Sequence, residues 1–256
     1  MTSIPANYQP ATDLLRDRVI LITGAGDGIG ATAARTFAAH GATVVLLGKT
    51  IPKLEAVYDA IVSAHHPQPA IYPMDLEGAT YDDYEDLATT LDQEFGRLDG
   101  LLHNAAILGA RMMIEQYDLK LWARVMHINL TAPFLLSRAC LPILRKSADA
   151  SVAFTSTSIA QEGRAYWGAY GVSKAGADNL MQIMADELEA NTAIRVNSID
   201  PGVVATRIRR LAFPAEDAAT LPTADSIMPA YLYLLGPDSK NETGRIFHAQ
   251  ALSLIH

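Results

Sequence analysis

A tyrosine and a lysine four residues apart form the pair with the clearest chemistry in this sequence. They stand in Tyr170-Gly-Val-Ser-Lys174, within a stretch whose pattern predicts a long helix, Gly168–Ala190. Residues four apart share one face of a helix. A phenol with a pKa of about 10 is a weak base at neutral pH, but a neighbouring ammonium favours the phenolate and lowers that pKa. The pair could therefore exchange a proton with an alcohol or carbonyl oxygen. The alternative is an ordinary pair on a helix surface.

Two further polar features accompany this pair. The segment Thr155-Ser-Thr-Ser158 follows a predicted strand, where a hydroxyl group could hold a substrate oxygen. Asn129 lies inside a predicted helical stretch, Leu119–Leu144, although asparagine is unfavourable within helices. We interpret Asn129 as a residue that positions a water for proton relay.

A cluster of glycines follows the first predicted strand and opens an alanine-rich helix. A phosphate needs backbone N–H groups that it can approach closely, and glycine permits this because it lacks a Cβ. The helix N-terminus adds its dipole and unpaired N–H groups. The position of the cluster therefore favours a dinucleotide pyrophosphate site over a turn that only packs. Its predicted contacts are Gly24, Gly26, Gly28, Ile29 and Gly30.

The residues after the second and third predicted strands bear on the choice of nucleotide. A carboxylate after the second strand would bind the ribose hydroxyls and favour NAD. Gly48 stands there instead, and Lys49 follows it and could meet a 2′-phosphate. Asp27 in the glycine cluster counts against a phosphate nearby. We therefore expect NADP(H) to be preferred, with NAD(H) possible. Asp75 is expected to bond adenine, with Leu76 beside it.

Two more segments follow predicted strands and are candidate cofactor contacts. Asn104-Ala105-Ala106 follows the fourth strand, where its amide and backbone can line the cofactor. Pro201-Gly202-Val-Val204-Ala-Thr206 follows the sixth strand. Its backbone could hold the nicotinamide carboxamide, and Thr206 could hold a phosphate. Sites in doubly wound folds lie at the carboxyl ends of strands, where all these candidates fall.

Strands and helices alternate along the chain, which predicts an α/β, doubly wound Rossmann fold with a mainly parallel, seven-stranded sheet. We expect one domain over residues 1–256, with an N-terminal extension at 1–16 and a substrate loop, irregular in pattern, at 206–223. The predicted helices are Gly28–Ala39, Pro52–Ala64, Asp82–Phe95, Leu119–Leu144, Gly168–Ala190 and Ala224–Leu235. The predicted strands are Val19–Thr23, Ala42–Leu47, Ala70–Met74, Leu98–His103, Ala150–Thr155, Ala193–Ile199 and Arg245–His248.

Composition argues against several classes of protein. The net charge is −8, without the basic footprint of a nucleic-acid binder. Cys140 is the single cysteine, so no intrachain disulfide can form and a reducing compartment is expected. We find no signal peptide and no apolar run of membrane-spanning length, so a cytoplasmic location without membrane partners is predicted. No cluster with metal-ligand spacing occurs, and no metal is expected.

In order and spacing these residues resemble the short-chain dehydrogenase/reductase family, from about Asp17 to Thr206. The resemblance implies that Tyr170 is the general acid/base and that Lys174 lowers its pKa and binds ribose. It also implies that a serine orients the substrate and that Asn129 completes the relay. Family members commonly pair through long helices, so a homodimer or homotetramer is implied. The segments around Phe154–Ser158, Trp167–Lys174 and Met181–Glu187 also resemble those of a bacterial subgroup of oxidoreductases without an assigned substrate.

The sequence departs from the family pattern at three places. The family serine usually lies thirteen residues before the tyrosine, where Thr157 stands. The local pattern Thr157-Ser158-Ile-Ala matches the usual one if a residue is deleted after it, so we prefer Ser158 and keep Thr157 and Ser156 as rivals. His103 replaces a customary asparagine, and the tail beginning at Phe247 lacks the customary Asp-Gly-Gly.

The leading hypothesis is an oxidoreductase that passes a hydride between nicotinamide and a small carbonyl or secondary alcohol substrate. The first alternative is a catalytically silent protein of the same fold that senses NADP, although such proteins usually lose the tyrosine or the lysine. The second is an epimerase or dehydratase acting on a nucleotide sugar. The arginines of the 206–223 loop, Arg207, Arg209 and Arg210, indicate either an anionic substrate group or a solvated charge cluster.

Overall fold

A parallel sheet forms the centre of the molecule, and helices cover both of its faces. The computed structural model describes residues 2–5 and 7–250. The strands are β1 (Thr2–Ser3), β2 (Val19–Thr23), β3 (Thr43–Gly48), β4 (Ala70–Pro73), β5 (Gly100–His103), β6 (Ala150–Thr155), β7 (Ile194–Asp200) and β8 (Ile246–His248). Their order in the sheet is β1-β8-β7-β6-β5-β2-β3-β4.

The order of the strands creates a crevice at the carboxyl edge of the sheet. From β2 the chain winds outward through β3 and β4, then crosses back to β5 and winds the other way through β6, β7 and β8. β2 and β5 are neighbours, so the segments that follow them diverge to opposite sides. Ligands of doubly wound folds bind at such a switch point. The predicted Rossmann architecture is confirmed.

The strands are apolar without alternation because both of their faces are buried. Ile20 and Ile22 of β2 pack with α1, α2 and α9, whereas Leu21 packs on the other face with α3, α5 and α7. None of the described helices is long and apolar enough to cross a bilayer. The helices are α1 (Gly28–Ala39), α2 (Ile51–Ser63), α3 (Tyr81–Phe95), α4 (Leu119–Met126), α5 (Ala132–Leu144), α6 (Ser158–Gln161), α7 (Gly168–Glu189), α8 (Arg207–Ala212) and α9 (Met228–Leu235).

Within residues 2–5 and 7–250 the sheet has one strand more than the seven predicted. Thr2 and Ser3 pair in parallel with Phe247 and His248 at the edge of the sheet, inside the segment expected to be an N-terminal extension. A two-residue strand has no hydrophobic period of its own, and backbone hydrogen bonds to β8 define it. The sequence pattern therefore could not predict it.

The predicted helical stretch Leu119–Leu144 continues through Pro133 by a change of helical pitch. A π-helical turn, His127–Thr131, joins α4 to α5, and Pro133 stands in the first turn of α5. The Ala132 N–H donates to the His127 carbonyl five residues back. Proline has no N–H to donate to the carbonyl of Asn129, four residues before it, and the wider turn accommodates this loss. The turn also carries Asn129 towards the crevice.

The segment at 206–223 is more regular than its sequence indicates. Thr206 caps α8 by accepting a hydrogen bond from the Arg209 N–H at 3.2 Å, and a 3₁₀ turn follows at Ala218–Thr220. A helix of six residues is too short to show a helical period, so only the polar and proline residues of the segment were visible in the pattern. This segment lies over the carboxyl edge of the sheet, next to Tyr170.

Candidate active site

The glycine loop after β2 packs closely against the start of α1. Gly24 and Gly28 have φ angles of 67° and 51°, which side chains disfavour. Gly30 has no room for a side chain, since a Cβ would lie 2.3 Å from the Gly24 carbonyl oxygen and 2.6 Å from Asn104 Nδ2. Asp27 caps α1 by accepting from the Gly28 N–H at 2.8 Å. The loop therefore brings backbone N–H groups, without intervening side chains, to a helix N-terminus, as a pyrophosphate requires.

Thr23 joins the glycine loop to the segment after β5. Its Oγ1 accepts hydrogen bonds from the N–H groups of Asn104 (2.9 Å) and Ala105 (3.0 Å). The Asn104 side-chain amide donates to the Thr23 carbonyl at 3.2 Å. Sequence analysis missed Thr23, although a hydroxyl at the end of the first strand was an available signal. These bonds fix the crevice wall formed by Asn104, Ala105 and Ala106.

Two lysines lie where an adenosine 2′-phosphate would be expected, and each faces a carboxylate. Lys49 Nζ is 3.5 Å from Asp75 Oδ2, and both side chains are about half exposed. Lys53 Nζ is 2.5 Å from Asp27 Oδ2. The Lys53 hydrogen bond holds the pKa of Asp27 below its usual range. The Asp27 charge, which counted against NADP, is therefore compensated by Lys53, a residue that sequence analysis missed.

The loop after β7 is held in place by the C-terminal tail. The Gly202 N–H donates to Asp200 Oδ1 at 2.9 Å, and Gly202 has a φ of 70°. The Gln250 side-chain amide donates to the carbonyls of Pro201 (2.9 Å) and Val203 (2.8 Å). Sequence analysis missed Gln250. The available signal was the unusual tail. Gln250 belongs to the residues that replace the customary Asp-Gly-Gly, and it supports the predicted cofactor loop.

Tyr170 and Lys174 are buried one turn apart on α7. Lys174 Nζ donates to the Thr155 carbonyl at the end of β6, at 2.7 Å. Burial lowers the pKa of Lys174 to about 8, and the nearby Asp178 carboxylate opposes this shift. Burial raises the pKa of Tyr170 above its ordinary value, and the charge of Asp200 raises it further. Sequence analysis predicted a lowered Tyr170 pKa, and for the protein by itself the direction is the opposite.

The three candidate hydroxyl groups before Tyr170 occupy different environments, and the preference for Ser158 needs correction. Ser158 begins α6, is exposed and lies outside the cavity described below. Ser156 is buried and donates to Asp178 Oδ2 at 2.6 Å. Ser156 and Thr157 both line the cavity, but only Thr157 of these two is partly exposed. The rival residue at the usual spacing is therefore the one whose position suits a substrate contact.

The Asn129 side chain is buried and fully engaged by the protein. Its Oδ1 accepts from the Ile107 N–H, and its Nδ2 donates to the Ile107 carbonyl, both at 2.9 Å. Nδ2 also lies 3.0 Å from Ser173 Oγ, which donates to the Tyr170 carbonyl. The side chain thus connects α7 to the segment after β5. Because Pro133 has no N–H, the Asn129 main-chain carbonyl lacks the donor that an α-helix would supply four residues later.

A cavity of about 380 Å³ runs along the carboxyl edge of the sheet and brings most of the predicted residues together. Gly30, Asn129 and Ser158 do not line it. Gly30 and Asn129 instead pack behind residues that do. The predicted residues on its wall are Gly24, Gly26, Gly28, Ile29, Lys49, Asp75, Leu76, Asn104, Ala105, Ala106, Tyr170, Lys174, Pro201, Gly202, Val204 and Thr206.

Beyond Tyr170 the cavity ends in an apolar surface that sequence analysis did not identify. We call this surface, formed by Trp167, Ile208, Ala212 and Phe213, the substrate wall. These residues line the cavity and pack in one cluster with Tyr170. The Trp167 ring lies with its centroid 5.9 Å from those of both Tyr170 and Phe213. The residues come from α8 and from the turn before α7, and no sequence period links them.

Comparison with known proteins agrees with this arrangement. The family described as short chain dehydrogenase matches residues 18–217. The chain belongs to the short-chain dehydrogenase family. The uncharacterized oxidoreductase YciK of Escherichia coli K12, a relative of this short-chain dehydrogenase, is 45% identical over 244 residues, which are 95% of this chain and 96% of the relative.

Solved structures of short-chain dehydrogenases share the whole fold. One from Pseudomonas syringae is 53% identical, with a TM-score of 0.94 over 95% of this chain and 99% of that one. One from Escherichia coli CFT073, complexed with NADPH, is 45% identical, with a TM-score of 0.92 over 94% and 100% of the two chains. The protein is therefore an oxidoreductase of this family.

Proposed function

We propose that this enzyme is an NADP(H)-dependent oxidoreductase that interconverts a carbonyl compound and a secondary or primary alcohol, with Tyr170 as its general acid/base. The observation that carries the proposal is the common cavity. The glycine loop at one end and the Tyr170 hydroxyl with Lys174 at the other open onto the same space. A dinucleotide fits the residues present. The glycine loop and α1 lie so close together that a side chain at Gly30 would collide with the loop, and this packing leaves backbone N–H groups accessible to phosphates.

The nicotinamide cofactor, when bound, supplies or accepts the hydride. Tyr170 gives a proton to the substrate oxygen in reduction and takes it back in oxidation. In the protein by itself, burial and the Asp200 charge raise the pKa of the Tyr170 phenol, which favours the protonated form that reduction needs. Lys174 offers a buried ammonium group, fixed by the Thr155 carbonyl at 2.7 Å, to the ribose hydroxyls and to the phenolate that forms.

Asn129 acts in this proposal as a positioning residue. Its side chain hydrogen-bonds both backbone groups of Ile107, which fixes the spacing between the segment after β5 and α7. Pro133 has no N–H to donate to the main-chain carbonyl of Asn129. In this proposal that carbonyl holds the water through which Lys174 exchanges protons with solvent.

Lys49 decides the choice of nucleotide in this proposal. Among the described residues its ammonium group is held only by a 3.5 Å contact with Asp75, and it is half exposed, so a 2′-phosphate can recruit it. A solved relative binds NADPH. We expect Lys49→Met to weaken NADPH binding by roughly 10-fold to 10²-fold, the value of one charge-assisted hydrogen bond, and to leave NADH binding unchanged. Cofactor fluorescence titration measures both.

The control for Lys49→Met is Lys240→Met, which removes an exposed lysine outside the cavity. It should bind both nucleotides like the unmodified protein. Equal losses of NADPH and NADH affinity in Lys49→Met would contradict the role of Lys49 in selectivity.

Thr157 is the proposed substrate-orienting hydroxyl. We expect Thr157→Val, which keeps the side-chain shape, to lower kcat by about 10²-fold, the cost of one preorganised donor. Thr157→Ser should restore most of the rate, because it keeps the hydroxyl group that caps α6. Ser158→Ala is the matched control and should have little effect. Steady-state kinetics on the best carbonyl substrate decide between them, and a larger effect at Ser158 would reverse the assignment.

Association into a homodimer or homotetramer stays a prediction, as does a cytoplasmic location. Val172 and Ile183 on α7 are 48% and 49% exposed, and eleven residues apart they share one helix face. Phe134 on α5 is 46% exposed. Large apolar side chains exposed on these two helices support self-association. The segment at 206–223 is proposed to admit the substrate.

A further inference from the structure

From the substrate wall we infer that the substrate is an uncharged carbonyl compound with a flat apolar body, aromatic or alicyclic, and that carboxylate-bearing analogues are rejected. This inference rests on the proposed function and specifies its substrate class. In the reaction the carbonyl carbon receives a hydride from NADPH, which becomes NADP⁺. The C=O π bond breaks, and the oxygen receives the proton of Tyr170.

The first argument is the surface that the substrate body must touch. A carbonyl oxygen at the Tyr170 hydroxyl leaves the rest of the molecule against Trp167, Phe213, Ile208 and Ala212, which form one cluster with Tyr170. Two aromatic rings with centroids 5.9 Å apart present edges and faces that a planar ring can stack on. The wall carries no polar side-chain atom apart from the Trp167 indole N–H.

The second argument is that Arg209, which lines the cavity beside the wall, is already paired with a carboxylate. Arg209 lines the cavity, but its Nε and Nη2 each lie 2.6 Å from a carboxylate oxygen of Glu216. Its guanidinium also lies 3.8 Å from the centroid of the Phe213 ring. A bidentate pair of this kind satisfies the guanidinium and removes its net charge. A substrate carboxylate would therefore have to displace Glu216.

The remaining arginines do not supply an anion site at the wall. Arg207 lies towards the glycine loop, where it adds to the larger effect of the Lys53 hydrogen bond in lowering the pKa of Asp27. Arg210 is exposed and, like Arg111, does not line the cavity. The Arg111 guanidinium stacks on Trp167 at 4.8 Å and on Phe213 at 5.0 Å, and it donates to the Ala212 carbonyl.

Arg111 thus stabilises the substrate wall. It connects the segment after β5 to α8 and holds the two aromatic rings in a fixed relation. An ionised substrate group at the wall would lose its hydration, and it would gain a partner only if Arg209 left Glu216 or Arg111 left its stacked position. The arrangement favours neutral bodies over charged ones of the same shape.

The test compares pairs of carbonyl compounds in which a methyl group stands in place of a carboxylate. NADPH oxidation is measured with 4-methylcyclohexanone against 4-oxocyclohexanecarboxylate, and with 4-methylbenzaldehyde against 4-formylbenzoate. We expect kcat/KM for each neutral compound to exceed that of its carboxylate counterpart by at least about 10²-fold. Glu216→Gln, which releases Arg209, should narrow this ratio by about tenfold or more through activity on the carboxylates. Glu162→Gln alters an exposed pair with Arg164 and is the matched control.

The outcomes separate the inference from the proposed function. Equal or better turnover of the carboxylates, or no turnover of the neutral compounds by protein that binds NADPH, overturns the inference and leaves the cofactor assignment standing. An unchanged ratio in Glu216→Gln also counts against it. Failure to bind NADPH at all is a failure of the proposed function.

Discussion

Replacement of Tyr170 by phenylalanine is expected to lower the rate of carbonyl reduction by about 10²–10⁴-fold, the contribution of a positioned general acid. The change removes one oxygen atom and keeps the ring that packs against Trp167. Affinity for NADPH should stay within about twofold of the unmodified protein, since the phenol hydroxyl has no hydrogen-bond partner among the described residues whose loss would disturb the fold. Stopped-flow or steady-state NADPH oxidation measures the rate, and fluorescence titration measures binding.

Tyr166→Phe is the matched control for that experiment. Tyr166 is 48% exposed and lies outside the cavity, four residues before Tyr170. Its loss of a hydroxyl group should leave the rate unchanged. If Tyr170→Phe retained the full rate, another group would have to supply the proton, and the assignment of Tyr170 would be wrong.

Gly30→Ala should abolish measurable cofactor binding and destabilise the protein by about 1–3 kcal/mol, the usual cost of overpacking. The added Cβ would lie 2.3 Å from the Gly24 carbonyl oxygen and 2.6 Å from the Asn104 amide nitrogen. These atoms belong to the two segments that flank the crevice. Moving them apart distorts the phosphate cradle and the wall opposite it. Thermal unfolding and NADPH titration of the same preparation report the two effects.

Gly78→Ala controls for the loss of a glycine in itself. A Cβ at Gly78 would meet no atom within 4 Å, so this variant should unfold and bind like the unmodified chain. NADPH binding by Gly30→Ala at full affinity would show that the cofactor does not depend on the close approach of α1 to β2.

The sequence predicted the parts of the molecule that depend on local chemistry. Glycines in the loop after β2, the apolar strand runs and the four-residue spacing of Tyr170 and Lys174 each express a requirement that one segment imposes by itself. The order of the motifs along the chain then predicted which strand ends meet. Because parallel strands present their carboxyl ends at one edge, the cavity could be foreseen without side-chain detail.

The parts that could not be predicted depend on pairs distant in sequence. Gln250 reaches Pro201, and Arg111 reaches Ala212, through contacts that leave no periodic signal. The preference for Ser158 rested on aligning residue types, which did not indicate that Thr157 rather than Ser158 borders the cavity. The fold placed the short helix α6 so that Thr157 caps it beside the cavity while Ser158 turns to solvent.

The pKa of Tyr170 also depends on residues distant in sequence. Spacing on α7 predicted that Lys174 lowers it, but Lys174 donates to the Thr155 carbonyl, and burial dominates the environment of the phenol. The direction of a pKa shift depends on burial and on charges such as Asp200, which approaches from β7. Neither can be read from the spacing of two residues.

Calorimetric titration of the full chain with NADPH tests the central claim most directly. The account predicts saturable binding with one nucleotide per chain, tighter than that of NADH, retained in Tyr170→Phe and lost in Gly30→Ala. A folded protein that binds neither NADPH nor NADH would contradict it, because the cavity along the carboxyl edge of the sheet would then serve another ligand.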